Sequence, residues 1–277
     1  MGRFRFEVGR PLIMGVVNLT PDSFSDGGAY EAPEAAIDHA QRLVAAGADI
    51  IDLGAESTRP GATPVSASQE RDRLLPVLDG LHDLPAAISV DTRHTATMRA
   101  VLDYPVDLIN DINALQSDGA VDLLLGNQVG VCLMHMQGGP PTMQQAPVYQ
   151  SVVSEVAGFL HSRVESVRKS GIERNRLLVD PGIGFGKKMA HNLALLRHCR
   201  DIESRCGCPV LIGVSRKSLL GELTGKPVED RLGGSIGGAL GAAMAGASVL
   251  RVHDVAATHD ALTVFRSIIS ASLEAPD

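Results

Sequence analysis

The chain has few aromatic residues, no tryptophan and no long apolar run. Three tyrosines and six phenylalanines make up 3% of its 277 residues, although hydrophobic residues reach 44%. A packed core must therefore consist mainly of Ala, Val, Leu and Ile, which suits buried parallel strands. No uninterrupted apolar stretch of 18 residues is present, and the first residues, MGRFRFEVGRP, contain no long apolar segment. We therefore expect no membrane span and a cytoplasmic protein.

Cysteines are few, and basic residues are outnumbered by acidic ones. Of the four cysteines, Cys206 and Cys208 stand close together, but neither a His nor a second CxxC pair completes a zinc set beside them. Reduced structural thiols are the favoured interpretation. The formal net charge of -7 argues against binding to nucleic acid or to an anionic membrane, since both require a broad basic face. An anionic substrate would need a local cationic pocket.

The sequence does contain a repeated unit, in which an apolar run is followed by a polar or glycine-rich signature and then by a helical pattern. The apolar runs are LIMGVV, DIIDLG, AAISVD, DLIND, VGVCLMH, RLLVDPG, PVLIGVS and SVLRVHD. Helical patterns occupy 33–47, 68–80, 94–103, 148–170, 189–204, 230–246 and 256–272. Strands joined by helical crossovers pair in parallel, and eight such units close into a barrel. We predict an α/β fold, a single-domain (β/α)8 TIM barrel over residues 1–277, with its reactive face at the carboxyl ends of the strands.

Two long connections and two glycine-rich segments interrupt this pattern. The connections 18–32 and 54–67 are candidate active-site lids. Segment 182–186 has GxGxG spacing without a GK[ST] ending, so it supports neither a dinucleotide site nor a P-loop. It either lets backbone N–H groups approach a ligand or is a tight turn that aims Asp180. Segment 233–246 precedes a strand, which favours a small-residue helix packed on the barrel over a nucleotide loop.

Acceptor-rich side chains end three different predicted strands: Asp91, Asn110 and Asp180. Because carboxyl ends of barrel strands meet at one mouth, we expect these side chains to converge. A carboxylate matches paired N–H donors, and an amide supplies both a donor and an acceptor, so a flat nitrogen heterocycle fits the pattern. Any one of them alone could be a helix cap, but three at equivalent positions favour a binding site.

Cationic residues cluster late in the chain, with Arg216 and Lys217 after the seventh strand and Arg251 and His253 after the eighth. Loops at these positions of a barrel often bind phosphate, and here they could surround a leaving anion. The alternatives are an ion pair between Arg251 and a neighbouring carboxylate, and a plain hydrogen-bonded role for His253. His135 also ends a strand, but no partner is evident in the sequence, and we interpret it as structural.

Seven motifs together resemble those of dihydropteroate synthases, and the resemblance spans residues 12–254. They are NLTPDSFSDGG, ESTRPG, SVDTR, NDI, DPGIGFGK, SRKS and RVHD. The resemblance implies a barrel enzyme of folate biosynthesis, a transferase that joins 6-hydroxymethyl-7,8-dihydropterin diphosphate to 4-aminobenzoate and gives 7,8-dihydropteroate and diphosphate. It also implies a homodimer, a requirement for Mg²⁺ and competition by sulfonamides with 4-aminobenzoate.

The resemblance also implies roles for individual residues. The pterin would be bound by Asp180, Asn110, Asp91, Lys217 and Thr58. The diphosphate would be bound by Asn18, Arg251 and His253, with Asn18 also near Mg²⁺. The aminobenzoate pocket would involve Phe24, Pro60, Phe185, Ser215, Lys217 and Arg59. Catalysis would rest on Lys217, Asp91, Arg251 and Asp22, where Asp22 faces either the cationic centre of the reacting pterin or the magnesium.

Three other functions compete with this interpretation. A methyltetrahydrofolate corrinoid methyltransferase would share the Asp and Asn contacts to the pterin, but it does not need a diphosphate pocket, so the TPDSF, SRK and RVHD motifs favour the synthase. A non-catalytic pterin-binding paralogue is disfavoured because Asn18, Lys217, Arg251 and His253 are intact. A barrel that only sequesters a phosphorylated metabolite would be distinguished by its lack of turnover.

Overall fold

A computed structural model describes residues 2–6, 9–20, 31–57, 63–139 and 142–270 of the chain. Its strands are β1 Leu12–Asn18, β2 Ile50–Gly54, β3 Ala87–Asp91, β4 Leu108–Asp111, β5 Gly130–Met134, β6 Leu177–Asp180, β7 Leu211–Gly213 and β8 Val249–Val252. They form one parallel sheet in the order β6-β5-β4-β3-β2-β1-β8-β7. A parallel bridge between Val179 and Val210 joins the two ends of this order. The predicted eight-stranded barrel is confirmed.

Helices connect the strands. They are α1 Glu31–Ala45, α2 Ala67–Gly80, α3 Thr95–Val101, α4 Ala120–Leu125, α5 Val152–Lys169, α6 Met189–Arg197, α7 Cys199–Cys206, α8 Ser218–Thr224, α9 Leu232–Met244 and α10 Val255–Ser270. Short 3-10 helices occupy Arg174–Arg176 and Val228–Asp230. Within the described ranges, none of the helices has both the length and the apolar composition to cross a membrane.

The sequence patterns missed two helices and merged two others. Helices α4 and α8 have six and seven residues, which is too short for a helical repeat to stand out. The predicted helix 189–204 is instead two helices, because His198 leaves helical geometry (φ -111°, ψ 32°) between α6 and α7. Segment 233–246 is helical, as predicted, and it forms most of α9.

The inside of the barrel is apolar at its amino end. Each strand contributes one buried side chain to this layer, which consists of Met14, Ile50, Ala87, Leu108, Cys132, Leu178, Leu211 and Val249. The stacked rings of Phe4 and Phe6, with centroids 5.9 Å apart, pack against it. A larger apolar cluster fills the space between the strands and the helices. The amino end is therefore built for stability.

The next layer of inward-facing side chains, toward the carboxyl ends of the strands, is mostly polar. Side chains alternate along a strand, so residues two positions after the apolar layer again face the barrel interior. These residues include Asp52, Ser89, Asn110, Asp180 and Arg251. The change from apolar to polar along the barrel axis places the candidate site at the carboxyl end, as predicted.

All four cysteines are free and buried: Cys132, Cys199, Cys206 and Cys208. Burial raises the pKa of Cys199 and of Cys206 to about 12, and the pKa of Cys208 to about 11. Thiols with such pKa values are inert near neutral pH. This agrees with their interpretation as reduced structural thiols.

Candidate active site

Asp91, Asn110 and Asp180 converge on the mouth of the barrel. Asp91 ends β3, Asp180 ends β6, and cross-strand pairing places Asn110 of β4 beside Asp91. Asn110 is 5% exposed and Asp180 is 7% exposed, so both are buried yet reachable from the mouth. Burial raises the pKa of the Asp180 carboxyl above its ordinary value, and the positive charge of Lys217 offsets only part of that effect. The predicted convergence of these three side chains is therefore seen among the described residues, and the ligand that they would bind stays a prediction.

A fully buried carboxylate that sequence reasoning missed, Asp52 of β2, ties this site together. Its Oδ1 accepts a hydrogen bond of 2.6 Å from the Ser89 hydroxyl. Its Oδ2 accepts from Asn110 Nδ2 at 3.3 Å and from Arg251 Nε at 2.6 Å. Asp52 thus links strands β3, β4 and β8. Side chains alternate along a strand, so the alternation that places Ile50 inside the barrel also places Asp52 there. This alternation could have predicted the position of Asp52 from the sequence.

Arg251 pairs with two carboxylates. Its Nε donates to Asp52, and its Nη2 donates to Asp91 at 3.1 Å. Burial disfavours the charged guanidinium, but the two carboxylates outweigh burial and raise the pKa of Arg251. The ion pair that the sequence left open as an alternative is therefore present. It does not exclude anion binding, because these two bonds use two of the five N–H groups of the guanidinium.

Burial, partly offset by Arg251 and reinforced by Asp52, raises the pKa of the Asp91 carboxyl to about 7. Asp91 therefore titrates near neutral pH. A strongly perturbed carboxyl in a concave site is a marker of function, although structural ion-pair networks also produce such shifts.

Lys217 and Phe185, both predicted site residues, are in contact. The Lys217 Nζ atom lies 4.6 Å from the centroid of the Phe185 ring, in a cation–π arrangement, and it also donates to the Ile183 carbonyl. Burial lowers the pKa of Lys217 to about 8, and Asp180 opposes the shift. An aromatic face and a cationic group thus lie side by side next to Asp180.

The glycine-rich segment after β6 is a tight turn that aims Asp180. Gly182, Gly184 and Gly186 have φ values of 69°, 83° and 64°, which side chains with a Cβ rarely adopt. The Gly182 N–H donates to Asp180 Oδ1 at 2.6 Å. A Cβ at Gly186 would lie 2.5 Å from the Gln137 carbonyl oxygen. Of the two predicted interpretations, the described contacts support the positioning turn.

A buried lysine lies below this turn, and sequence reasoning also missed it. Lys187 is 3% exposed, and its Nζ lies 3.0 Å from His135 Nδ1 and 2.9 Å from the Phe185 carbonyl oxygen. Burial lowers the pKa of Lys187 to about 7. Burial and the lysine charge lower the pKa of His135 to about 3. The expectation that His135 has no partner was wrong, and its interpretation as a structural residue stays a prediction.

Ser215 contacts His253. The Ser215 hydroxyl accepts from the His253 backbone N–H at 3.2 Å and lies 3.0 Å from its Nδ1. This contact fixes the imidazole at the end of β8, which agrees with the hydrogen-bonded role left open for His253. The predicted contribution of Ser215 to an aminobenzoate pocket stays a prediction.

Asn18 ends β1 at the same mouth. A Cβ placed on Gly54 would lie 3.9 Å from Asn18 Oδ1 and 3.8 Å from Asp91 Cβ, so these two side chains flank the same glycine. Arg216, in contrast, is exposed and pairs with Asp254, its Nε lying 3.1 Å from Oδ2. Of these two neighbouring cations, Lys217 lies in the candidate site, whereas Arg216 forms an exposed ion pair outside it.

Several predicted residues lie outside the described part of the chain: Asp22, Phe24, Thr58, Arg59 and Pro60. Their roles stay predictions. Among the described residues, no group of three or more His, Cys, Asp or Glu side chains is arranged to hold a metal ion.

Comparisons with known proteins agree with this geometry. The family model for pterin binding enzymes matches residues 14–253. The dihydropteroate synthase of Neisseria meningitidis serogroup B is 49% identical over 273 residues, with 96% of each chain covered. A structure of Xanthomonas albilineans dihydropteroate synthase with 4-aminobenzoic acid superimposes with a TM-score of 0.90 at 46% identity, covering 96% of each chain. A Burkholderia cenocepacia dihydropteroate synthase complexed with 7,8-dihydropteroate gives 0.89 at 42% identity, covering 97% of this chain and 95% of that one. The chain belongs to the dihydropteroate synthase family of pterin-binding enzymes.

Proposed function

We propose that the chain condenses 6-hydroxymethyl-7,8-dihydropterin diphosphate with 4-aminobenzoate, giving 7,8-dihydropteroate and diphosphate. The observation that carries the proposal is a single barrel mouth where buried acceptors, Asp180 and Asn110, stand beside half-buried cations, Lys217 and Arg251. A flat heterocycle rich in N–H donors and bearing an anionic leaving group matches both halves of this arrangement.

The pterin is proposed to lie between Asp180, Asn110 and Asp91. The Asp180 carboxylate provides two acceptor oxygens for the paired N–H donors of the aminopyrimidine edge. One of these oxygens also accepts a hydrogen bond from the Gly182 N–H, and this bond fixes the orientation of the Asp180 carboxylate. Asn110 and Asp91 supply further polar contacts from the neighbouring strands, while Lys217 provides a positive charge beside the ring.

The diphosphate is proposed to bind among Arg251, His253 and Asn18. Arg251 supplies N–H donors that the two carboxylate bonds leave available, and His253 is oriented by Ser215. The Asn18 side-chain oxygen is a hard ligand that suits Mg²⁺, and Asp22 is a second candidate outside the described residues. When bound, the magnesium ion would neutralise charge on the leaving diphosphate.

The aminobenzoate is proposed to lie against Phe185, whose ring contacts Lys217. Lys187 fixes the backbone of this aromatic residue from below through its bond to the Phe185 carbonyl. Phe24, Arg59 and Pro60 would complete the pocket. Sulfonamides, which imitate the aminobenzoate, would compete at the same place.

The proposed reaction needs no nucleophilic side chain. The C–O bond to diphosphate breaks first, with its electron pair leaving on the diphosphate, and the electron-rich dihydropterin ring spreads the positive charge left on the methylene carbon. The arylamine nitrogen then forms the new C–N bond and releases a proton. The side chains contribute by holding the reactants in line and by stabilising separated charge.

Turnover tests this function against its rivals. Purified protein incubated with the pterin diphosphate, Mg²⁺ and 4-aminobenzoate is expected to release diphosphate and to form dihydropteroate in equal amounts. Without the amine, diphosphate release should be slow and limited to capture of the cationic pterin by water. Binding of the pterin diphosphate without product at any magnesium concentration would instead show a sequestering or non-catalytic pterin-binding protein.

We also propose a homodimer formed through α9 and α10. Three glycines four residues apart on α9 have nothing within 4 Å of an added Cβ: Gly233, Gly237 and Gly241. Exposed apolar side chains also lie on these two helices: Met244 (62%) on α9, and Val264 (60%) and Ile268 (68%) on α10. The opposite face of α9 packs on the barrel, where a Cβ at Gly238 would lie 3.0 Å from Val214. An apolar surface of this kind on an outer helix pair is typical of an interface between subunits.

A further inference from the structure

We infer that Asp52 is a positioning residue that sets the recognition polarity of Asn110 and holds Arg251 in register with it. The inference rests on the proposed function, since it assigns Asn110 to the pterin and Arg251 to the diphosphate. Asp52 is fully buried, and both of its oxygens accept hydrogen bonds from the protein, so we assign it no contact with either substrate.

The hydrogen bonds of Asp52 lie in the barrel interior, shielded from solvent. Asp52 and Ser89 are 0% exposed, and Asn110 is 5% exposed, so water does not replace a lost partner. The Asn110 Nδ2 atom donates to Asp52 Oδ2, so the NH2 group of the side-chain amide faces Asp52. The carbonyl half of that amide is then directed away from Asp52. Asn110 is thereby fixed with its acceptor available to a ligand, which is the polarity that an N–H-rich heterocycle requires.

The same Asp52 oxygen receives the Arg251 Nε at 2.6 Å. This bond uses the inner edge of the guanidinium, and the Nη2 bond to Asp91 fixes its rotation. One buried oxygen thus sets the positions of the amide proposed for the pterin and the cation proposed for its leaving group. A change at Asp52 should disturb both ligands, whereas a change at Asn110 should disturb only the pterin.

The test compares four variants by calorimetry with two probes, 6-hydroxymethylpterin and inorganic diphosphate with Mg²⁺. Asp52→Ala is expected to weaken both probes by roughly 10- to 100-fold, because it removes charge-assisted bonds. Asn110→Ala should weaken only the pterin. Ser89→Ala is the matched control, since it removes a partner of the other Asp52 oxygen, and it should change either affinity less than about 3-fold. Asp52→Asn keeps an acceptor toward Asn110 and Arg251 and should recover part of both affinities.

The decisive comparison is a double-mutant cycle for the pterin. In the Asn110→Ala background, Asp52→Ala should cost little further pterin affinity, since the residue that it positions is gone. An equal loss in both backgrounds, or no loss in either, would overturn the inference. If Asp52→Ala does not fold, the same cycle with Asp52→Asn decides, since that side chain has nearly the same shape. Turnover by the unmodified enzyme tests the proposed function separately. It can support that function whether the double-mutant cycle supports or contradicts the role of Asp52.

Discussion

Arg251 of β8 and Asp91 of β3 form a 3.1 Å ion pair across the mouth of the barrel, on the side where the leaving diphosphate is proposed to bind. Arg251 also pairs with the fully buried Asp52. The cation assigned to diphosphate therefore also compensates two carboxylates, and its removal should have two separate effects.

Arg251→Ala should lower both diphosphate affinity and stability. The loss of a donor to the anion reduces turnover, while the unpaired carboxylates of Asp52 and Asp91 should reduce the free energy of unfolding by about 3 to 5 kcal/mol. Urea unfolding measures the second effect and diphosphate calorimetry the first. Affinity for a pterin without diphosphate should fall much less. Equal weakening of both ligands in a folded variant would contradict the anion-pocket assignment.

Asp91 should make stability depend on pH near neutrality. Its folded pKa of about 7 lies above an unfolded value of about 3.9, so its favourable contribution is complete below the unfolded pKa and is lost as the pH rises through the folded pKa. The stability of Asp91→Asn relative to the unmodified protein should therefore increase between about pH 5 and about pH 8. Thermal unfolding of the two proteins over this range measures the difference. Parallel curves for the two proteins would show that Asp91 does not titrate there.

The turn that aims Asp180 should not tolerate a side chain at Gly186. Gly186→Ala adds a Cβ 2.5 Å from the Gln137 carbonyl oxygen at a φ of 64°. Gly225→Ala is a matched control, because its φ is 70° but nothing lies within 4 Å of the added atom. We expect Gly186→Ala to be destabilised by roughly 1 to 3 kcal/mol more than the control, as measured by urea unfolding. Similar losses in the two variants would mean that backbone strain alone matters and that the turn yields to the added atom.

The proposed dimer should be sensitive to charge on α10. Ile268→Glu places a carboxylate in the exposed apolar surface, and we expect sedimentation analysis to show monomers where the unmodified protein is dimeric. Leu125→Glu, on the exposed face of α4 at 40% exposure, is the control and should remain dimeric. A dimer that survives Ile268→Glu unchanged would place the interface elsewhere.

The sequence predicts the barrel and the strand-end residues because both follow from a short-range repeat. Asp91, Asn110 and Asp180 each end an apolar run, and parallel strands bring such ends together whatever their separation in the chain. Asp52 lies two residues before the end of its strand, so its position at a strand end does not mark it, although alternation from Ile50 predicts that it faces the barrel interior.

Other features depend on contacts that leave no periodic trace. Lys187 and His135 are 52 residues apart, and only the folding of the glycine turn over β5 brings them together. Helix α8 has only seven residues, of which Leu219 and Leu220 are buried. A helix this short is stabilised mainly by packing, which helix propensity does not predict. From the sequence, an ion pair between Arg251 and a carboxylate is only one of two alternatives. Whether the guanidinium binds a carboxylate or a substrate anion depends on its distances to the nearby carboxylates, which the sequence does not give.

Binding of 6-hydroxymethylpterin to the unmodified protein and to Asp180→Asn, measured by calorimetry, shows whether Asp180 holds the pterin. We expect the asparagine variant to bind more weakly by about 1 to 3 kcal/mol, because one acceptor of the charge-assisted pair becomes a mismatched donor. An unchanged affinity in a correctly folded variant would show that Asp180 does not hold the pterin.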